Sequence, residues 1–254
     1  MGVTAVIAAA GSGERLGAGG PKAFVPLAGR PMIEWSLDAL REAGAAAIVV
    51  ARPPGHDYES AGEEPHGSDP ALAPAPIQVV DGGATRAESV ANALAVVETE
   101  LVAIHDAARP LLTADLLRGV VATLEADPDA AGAIAATPLT DTIKRAARPS
   151  RRFDPSEGPN RRLGVEETVD REELWAAQTP QVFRTVALRE ALATFGQGSD
   201  AVAAQASEVT DEAMLIERAG GQVLIHPAPQ ENLKVTTPLD LLIAERLLAE
   251  RSAK

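Results

Sequence analysis

Cysteine is absent from the 254-residue sequence, which excludes disulfides and thiolate metal sites. Aromatic residues make up only 3%, so few surfaces are present on which single-stranded nucleic acid could stack. The formal net charge of −13 opposes a general affinity for DNA, RNA or anionic membranes. No apolar run approaches the length of a membrane span, and the N-terminus enters a strand-like run instead of a signal peptide. We therefore expect a cytoplasmic protein with no nucleic-acid partner and no membrane association.

What the sequence does contain is an alternation of strand-like and helix-like apolar segments. Hydrophobic residues account for 46%, which is close to the average of globular proteins. Strand-like runs lie at 3–7, 47–50, 77–80, 101–104, 131–136 and 222–225. Runs with helical spacing lie between them, which predicts a wound α/β sheet. We find no internal repeat, so the prediction is a single domain over residues 1–254.

The most distinctive stretch runs from Ala8 to Lys22 and follows the first predicted strand directly. Its alanines and glycines let backbone N–H groups approach an anion, and Arg15 and Lys22 are suited to phosphate oxygens. Gly11-Ser12-Gly13 alone is more typical of an ordinary loop between strand and helix. The whole run with both cations favours phosphate binding, although it lacks the ending of a P-loop and the third glycine of a dinucleotide motif.

Two further loops follow predicted strands. Gly82-Gly83 precedes a helix that Thr85 and Glu88 would cap, and these glycines fit either a tight turn or a flat wall for a base. Asp106 and Arg109 come just past the strand at 101–104, where open α/β sheets bind ligands, although a structural ion pair is the alternative. His105 points the other way in the strand alternation and is predicted to be structural.

The pattern changes between Thr137 and Glu167, where arginines and lysines occur among Pro, Gly, Ser and Asn. Such a segment cannot bury enough apolar surface to fold alone, so its middle is predicted to be a loop. The flanks at 141–144 and 167–171 alternate like a pair of strands. We predict an extended arm at about 137–171.

Together these motifs resemble the 2-C-methyl-D-erythritol 4-phosphate cytidylyltransferases of the non-mevalonate isoprenoid pathway. The matching segments are Ala9–Leu16 with Pro21-Lys22, Asp81–Gly83 with Arg86 and Ser89, His105–Pro110, Asp141–Lys144, Thr168–Arg171, Thr179–Gln181, Thr210–Glu212 and Asn232–Thr236. They occur in order over nearly the whole chain. The resemblance implies a Rossmann-like, mixed and mostly parallel sheet, a Mg²⁺-dependent reaction, and a homodimer whose arms reach into each other's sites.

The resemblance also implies a role for each candidate residue. Three groups of residues would bind CTP. The phosphates would contact Ala9, Ala10, Gly11 and Gly13. The cytosine would contact Gly83 and Ser89, and the ribose would contact Asp106 and Ala107. Arg15 and Lys22 would counter charge at the reacting centre. Those for the methylerythritol phosphate are Arg109, Thr142, Arg171 and Lys234, with Asp106 adjoining, and Thr142 and Arg171 would come from the partner's arm. Arg15, Lys22, Arg171 and Lys234 are thus the expected catalytic residues, and no protein metal ligand is assigned.

The implied reaction joins CTP and 2-C-methyl-D-erythritol 4-phosphate to give 4-diphosphocytidyl-2-C-methyl-D-erythritol and pyrophosphate. Three alternatives stay open: a ribitol-5-phosphate cytidylyltransferase, a sugar-1-phosphate nucleotidyltransferase, and a nucleotide-binding regulatory subunit without turnover. Ala107-Ala108, the run Asp141–Lys144, and Asp170-Arg171 ahead of Leu174-Trp175 resemble the methylerythritol enzymes more than the ribitol ones.

Overall fold

The main sheet has seven strands with helices packed on both faces, as seen in a computed structural model of the protein. The structure describes residues 2–11, 16, 20–56, 75–147, 164–196 and 210–252. The strands are β1 (Val3–Ala8), β2 (Pro26–Leu27), β3 (Arg30–Pro31), β4 (Ala47–Arg52), β5 (Ile77–Asp81), β6 (Leu101–Asp106), β7 (Gly132–Pro138), β8 (Ile143–Ala146), β9 (Val165–Val169), β10 (Trp175–Arg184) and β11 (Val223–Pro227). The helices are α1 (Met32–Glu42), α2 (Arg86–Leu94), α3 (Ala114–Glu125), α4 (Thr185–Gly196), α5 (Glu212–Arg218) and α6 (Pro238–Ser252).

The strand order places the carboxyl ends of β1 and β6 side by side. Across the sheet the order is β11-β7-β10-β6-β1-β4-β5, and every neighbouring pair is parallel except the two that β10 makes. The chain leaves β1 toward β4 and β5, then returns to β6 on the other side of β1. Open α/β sheets bind ligands at such a reversal of strand order. The prediction of a mixed, mostly parallel α/β sheet is confirmed.

Strand β1 shows why the apolar runs form the sheet. Its residues from Val3 to Ile7 are at most 3% exposed, because Val3, Ala5 and Ile7 pack toward α1 and α3 while Val6 packs toward α2 and α4. A continuous apolar run is typical of a parallel strand that is covered on both faces. A third cluster packs under α6 and includes Val235, Ala244 and Leu248.

The predicted cap of α2 is confirmed, and two other helix ends follow the same local rules. Thr85 and Thr113 cap α2 and α3, and each hydroxyl accepts a hydrogen bond from the backbone N–H three residues on. Gly44 follows the end of α1 with a φ of +82°, a conformation that glycine adopts at little cost. None of the helices in the described ranges has the length and apolarity needed to cross a membrane.

The sequence patterns did not predict β10, which runs antiparallel to both of its neighbours in the main sheet. Its middle holds buried polar residues, Gln178, Thr179 and Gln181, together with Pro180, which has no N–H for the ladder. The pairing with β7 shifts register between Ala177 and Gln181, at the position of this proline. The irregular segment brings Thr179 next to the end of β6.

The two flanks of the predicted arm pair as strands, whereas a protruding arm over 137–171 stays a prediction. Strand β8 pairs with β9 in an antiparallel sheet of its own, with Ile143 opposite Val169. Residues 148–163, the predicted loop in the middle of the arm, lie outside the described residues. The prediction of a single domain over residues 1–254 stays a prediction.

Candidate active site

A cavity of about 660 Å³ opens at the carboxyl ends of β1 and β6. The residues from Ala8 to Gly11 come from the end of β1, and those from Asp106 to Ala108 come from the end of β6. Among the predicted site residues that the structure describes, nine line the cavity: Ala9, Ala10, Gly11, Lys22, Gly83, Ser89, Asp106, Ala107 and Lys234. Residues more than two hundred positions apart in the sequence therefore meet at one edge of the sheet.

The remaining predicted residues have other positions. Gly13 and Arg15 lie outside the described residues. Arg109 is next to the cavity but outside the described lining, and its Nη1 donates to the backbone oxygen of Asn232 at 2.8 Å. Thr142 and Arg171 are exposed in the arm and are also outside that lining.

Backbone hydrogen bonds hold the loop after β1 at both of its described ends. The Ala9 N–H donates to the Ala51 oxygen at 3.0 Å, and the Lys22 N–H donates to the Gly11 oxygen at 3.2 Å. Lys22 then begins a 3-10 turn that ends at Phe24. The hydrogen bond to Gly11 holds the backbone of Lys22 beside the end of β1, although ten residues separate the two in the chain.

The loop at 82–85 and the first turn of α2 form the opposite wall. A Cβ on Gly82 would come within 2.7 Å of the Ala10 Cβ, and one on Gly83 within 2.2 Å of the Glu88 Cβ. The Glu88 Oε2 reaches one residue past the N-cap Thr85 and accepts from the Ala84 N–H at 2.7 Å. The Ser89 Oγ accepts from the Gly83 N–H at 3.0 Å and donates to the Thr85 oxygen at 2.9 Å. Close packing within the protein therefore accounts for both glycines, and Gly83 still lines the cavity.

Asp106 is the centre of a charge network at the cavity floor. Its Oδ1 accepts from the Arg86 Nε at 3.2 Å, and its Oδ2 accepts from the Lys234 Nζ at 2.6 Å. Arg86 also donates through Nη1 to both carboxylate oxygens of Glu212. Burial raises the pKa of Asp106, but the positive charges of Arg86 and Lys234 outweigh that effect and bring the pKa well below its usual range. The carboxylate is therefore charged at neutral pH.

His105 supports Asp106 from behind the cavity. It is fully buried, its Nδ1 lies 3.1 Å from the Thr179 Oγ1, and its Nε2 lies 3.2 Å from the Arg109 oxygen. The Thr179 Oγ1 accepts from the Asp106 N–H at 3.0 Å, so its own proton is available to Nδ1. These contacts fit a neutral ring with the proton on Nε2, and burial lowers the pKa of His105 to about 4. The structural role predicted for His105 is confirmed.

The segment that carries Lys234 is held to the end of β6 and to β10. Asn232 is fully buried, and its Nδ2 donates to the Gln178 Oε1 at 2.8 Å and to the Thr179 oxygen at 2.9 Å. The Val235 N–H donates to the Ala108 oxygen at 2.8 Å. Lys234 lies between these two anchors, which direct it to the cavity.

Sequence reasoning gave no role to Arg86, Glu212 or Thr179, although all three lie in motifs that it singled out. Glu212 follows Asp211, whose side chain caps α5, and acids are common at helix N-termini. The position of Glu212 at a helix N-terminus therefore explains an acidic residue there without any role in the site. Only the tertiary structure brings Glu212 to Arg86, which is 126 positions away in the sequence.

The described residues offer little to a divalent cation. They contain no group of three or more His, Asp and Glu side chains that could hold a metal ion. Asp106 is the one carboxylate in the described lining of the cavity, and both of its oxygens already accept from cations. This donor set suits a Mg²⁺ ion that is bound mainly through nucleotide phosphates and water.

The comparisons with known proteins agree over nearly the whole chain. The family model for 2-C-methyl-D-erythritol 4-phosphate cytidylyltransferase matches residues 3–250. An enzyme of that name from Synechococcus sp. (strain CC9902) is 40% identical over 250 residues, which cover 97% of this chain and 98% of the relative. Another, from Aeromonas hydrophila, is 39% identical over 255 residues, which cover 100% of this chain and 92% of the relative. The crystal structure of the enzyme of that name from Thermus thermophilus has a TM-score of 0.73 and 30% identity, with coverage of 98% of this chain and 100% of the other. The chain belongs to the 2-C-methyl-D-erythritol 4-phosphate cytidylyltransferase family.

Proposed function

We propose that this chain is the cytidylyltransferase that joins CTP and 2-C-methyl-D-erythritol 4-phosphate. The products are 4-diphosphocytidyl-2-C-methyl-D-erythritol and pyrophosphate. The observation that supports this most is the convergence of Lys22, Asp106 and Lys234 on one cavity at the reversal of strand order, in a chain that matches the family from residue 3 to 250.

The chemistry we propose is a direct in-line displacement. An oxygen of the substrate's 4-phosphate bonds to the α-phosphorus of CTP, and the bond from that phosphorus to the bridging oxygen breaks. Pyrophosphate leaves with the electron pair. The attacking phosphate is already ionised at neutral pH, so no strong general base is needed. The protein must instead hold two anions that repel each other and stabilise the charge that spreads in the transition state.

The nucleotide would occupy the side of the cavity formed by the end of β1, the loop at 82–85 and the start of α2. We assign the phosphates to the backbone of Ala9, Ala10, Gly11 and Gly13, and the reacting charge to Arg15 and Lys22. Gly83 and Ser89 would contact the cytosine, and Asp106 with Ala107 the ribose. In support, Ser89 and Asp106 both line the cavity, and protein hydrogen bonds fix the positions of their polar groups.

The second substrate would lie beside Lys234, with Arg109 near its phosphate. Thr142 and Arg171 complete this subsite only if another copy of the chain brings its arm there, so we propose a homodimer with shared sites. In support, both residues are exposed and lie outside the described lining of their own subunit's cavity. The arm strands themselves bury little, and an isolated hairpin is at best marginally stable in water.

We also propose that the reaction uses Mg²⁺. When bound, this ion supplies counter-charge to the triphosphate and the departing pyrophosphate. Asp106 is the side chain in the described lining that could add a ligand to it, with CTP and water supplying the others. Lys22 and Lys234, which also line the cavity, would add positive charge to that of the ion.

The test is a coupled assay of pyrophosphate release over a matrix of nucleotides and acceptors. CTP, UTP and GTP are each combined with 2-C-methyl-D-erythritol 4-phosphate, ribitol 5-phosphate and a sugar 1-phosphate, with and without Mg²⁺. We expect fast release only for CTP with 2-C-methyl-D-erythritol 4-phosphate, and mass spectrometry should identify the diphosphocytidyl product. Preference for ribitol 5-phosphate, or no release from any pair, would refute the proposal.

A further inference from the structure

Glu212 is a buried carboxylate that the proposed chemistry does not use. It is the first residue of α5, its side chain is 1% exposed, and both of its oxygens accept from the Arg86 guanidinium. It is outside the described lining of the cavity, whereas Arg86 is part of that lining. Glu212 can therefore influence the cavity through Arg86.

Arg86 joins two carboxylates that come from different parts of the fold. Its Nη1 binds Glu212, and its Nε and Nη2 each lie 3.2 Å from the Asp106 Oδ1. Its planar group is suited to holding two acids in a fixed geometry. With two carboxylates on one guanidinium, little of its charge is left for a substrate phosphate. Arg86 thus acts on Asp106 and not as a further phosphate-binding cation.

The two oxygens of Asp106 are held in different ways. Oδ1 is held by Arg86, which Glu212 fixes on its other side, whereas Oδ2 is held by Lys234, whose side chain is 44% exposed. Lysine is a flexible point charge that turns readily to a new anion. Lys234 can therefore leave Oδ2 for an incoming phosphate, while Arg86 keeps Asp106 charged and in place.

From this arrangement we propose that Glu212 is a positioning residue for cytidylyl transfer. Through Arg86 it holds the Oδ1 of Asp106 in place. The Oδ2 can then contact the nucleotide when Lys234 moves to the second substrate. The inference rests on the proposed function. If Glu212 is missing, Arg86 loses its anchor, Asp106 moves with Lys234, and both substrate subsites are disturbed together.

The decisive variant replaces both members of the pair, Arg86→Met with Glu212→Leu. Replacing both residues avoids leaving Glu212 as an unpaired buried charge, and Asp106 keeps Lys234 as its cation when Arg86 is lost. A purely structural pair would leave the folded double variant close to normal in activity. We expect kcat/KM for both substrates to fall about ten- to a hundredfold, which corresponds to loss of one charge-assisted contact.

The matched control is Asp211→Asn, one position away in the same motif. Asp211 caps α5 and accepts from the Gln181 Nε2 at 2.9 Å, but it makes no hydrogen bond to Arg86 among the described contacts. It should lower the melting temperature without a change in kcat/KM. Glu212→Asp, which keeps the charge on a shorter side chain, should recover part of the activity that Glu212→Gln loses.

The measurements are pyrophosphate release with each substrate varied in turn, calorimetric titration with CTP alone, and melting curves by circular dichroism. Supporting results are a folded double variant with weaker CTP binding and lower kcat/KM, and partial recovery in Glu212→Asp. A folded double variant within twofold of the wild type refutes this inference and leaves the proposed function intact. Absence of pyrophosphate release from the wild type would instead refute the proposed function, and the inference with it.

Discussion

In the cavity, the predicted residues Ala9, Ser89, Asp106 and Ala107 are at most 8% exposed, whereas Thr142 and Arg171 in the arm are exposed. The cavity residues continue strands and helices whose apolar faces are buried, so the packing of the sheet fixes their positions. The arm residues flank a two-stranded hairpin with little apolar cover. One half of the proposed site is thus built by the subunit's own core, and the other half depends on what the arm contacts.

The hydrogen bonds differ in the same way. Around Asp106 they join residues far apart in the chain, and those between Asp106 and Thr179 and between Asn232 and Gln178 are buried. In the arm they join neighbouring strands and are exposed, as between Lys144 and Thr168 at 2.6 Å. Buried polar contacts carry a large cost when broken, and exposed ones carry little. The contrast leads to four predictions, in order of decreasing effect.

The largest effect is expected for Lys22→Ala at the cavity. We expect a fall in kcat of roughly a hundred- to a thousandfold with little change in CTP affinity, because this charge should act chiefly in the transition state. Steady-state kinetics and calorimetric titration with CTP separate the two quantities. Near-normal turnover in the folded variant would exclude this role for Lys22.

The next effect concerns the buried ring of His105, whose pKa is lowered to about 4 from an ordinary 6.5. The unfolded chain takes up this proton at a higher pH than the folded one, so the free energy of unfolding should fall as the pH drops from 6.5 toward 4. The loss attributable to this group is about 3 kcal/mol at most.

Urea unfolding at several pH values, compared between the wild type and His105→Gln, measures this loss. The glutamine can still donate to the Arg109 oxygen but does not titrate. The variant should therefore be less stable at pH 7.5 and show a smaller pH dependence between 6.5 and 4. Equal pH dependence in the two proteins would contradict a neutral, buried His105.

The third prediction separates the arm from the cavity directly. Lys22→Ala chains and Arg171→Ala chains are co-expressed, and each should be nearly inactive as a homodimer. If the arm acts on the partner's site, each mixed dimer contains one intact site, and about a quarter of normal activity should return for random pairing in equal amounts. Differential tagging verifies the mixed dimers. Verified mixed dimers without activity would show that the arm serves its own subunit.

The smallest effect is expected within the arm hairpin. Arg145 and Glu167 form an exposed ion pair at 2.5 Å, and such pairs contribute little to stability in water. Glu167→Gln should leave the melting temperature and kcat unchanged within experimental error. A clear loss of dimer or activity would mean that this pair is buried in the assembly, which would itself define part of the interface.

Much of the fold followed from local patterns. The apolar run at 3–7 is β1, the capping residue Thr85 begins α2, and the alternating flanks of the arm are β8 and β9. Strand β10 was not predicted, because the run Gln178–Pro180 does not have the residue types of a central strand. Their polar groups are satisfied by β6 and by Asn232, and no local pattern in the sequence reports such partners.

The sequence by itself determined which chemistry is present: a glycine-rich loop, two lysines, an aspartate after a buried strand and a polar arm. These features depend on residue type and on spacing over a few positions, which local physics controls. Only the tertiary structure decided that Arg86 and Lys234 divide the oxygens of Asp106, and that Glu212 anchors Arg86. Such contacts form because the packing of the sheet and helices brings distant segments together, and short-range propensities carry no information about that packing.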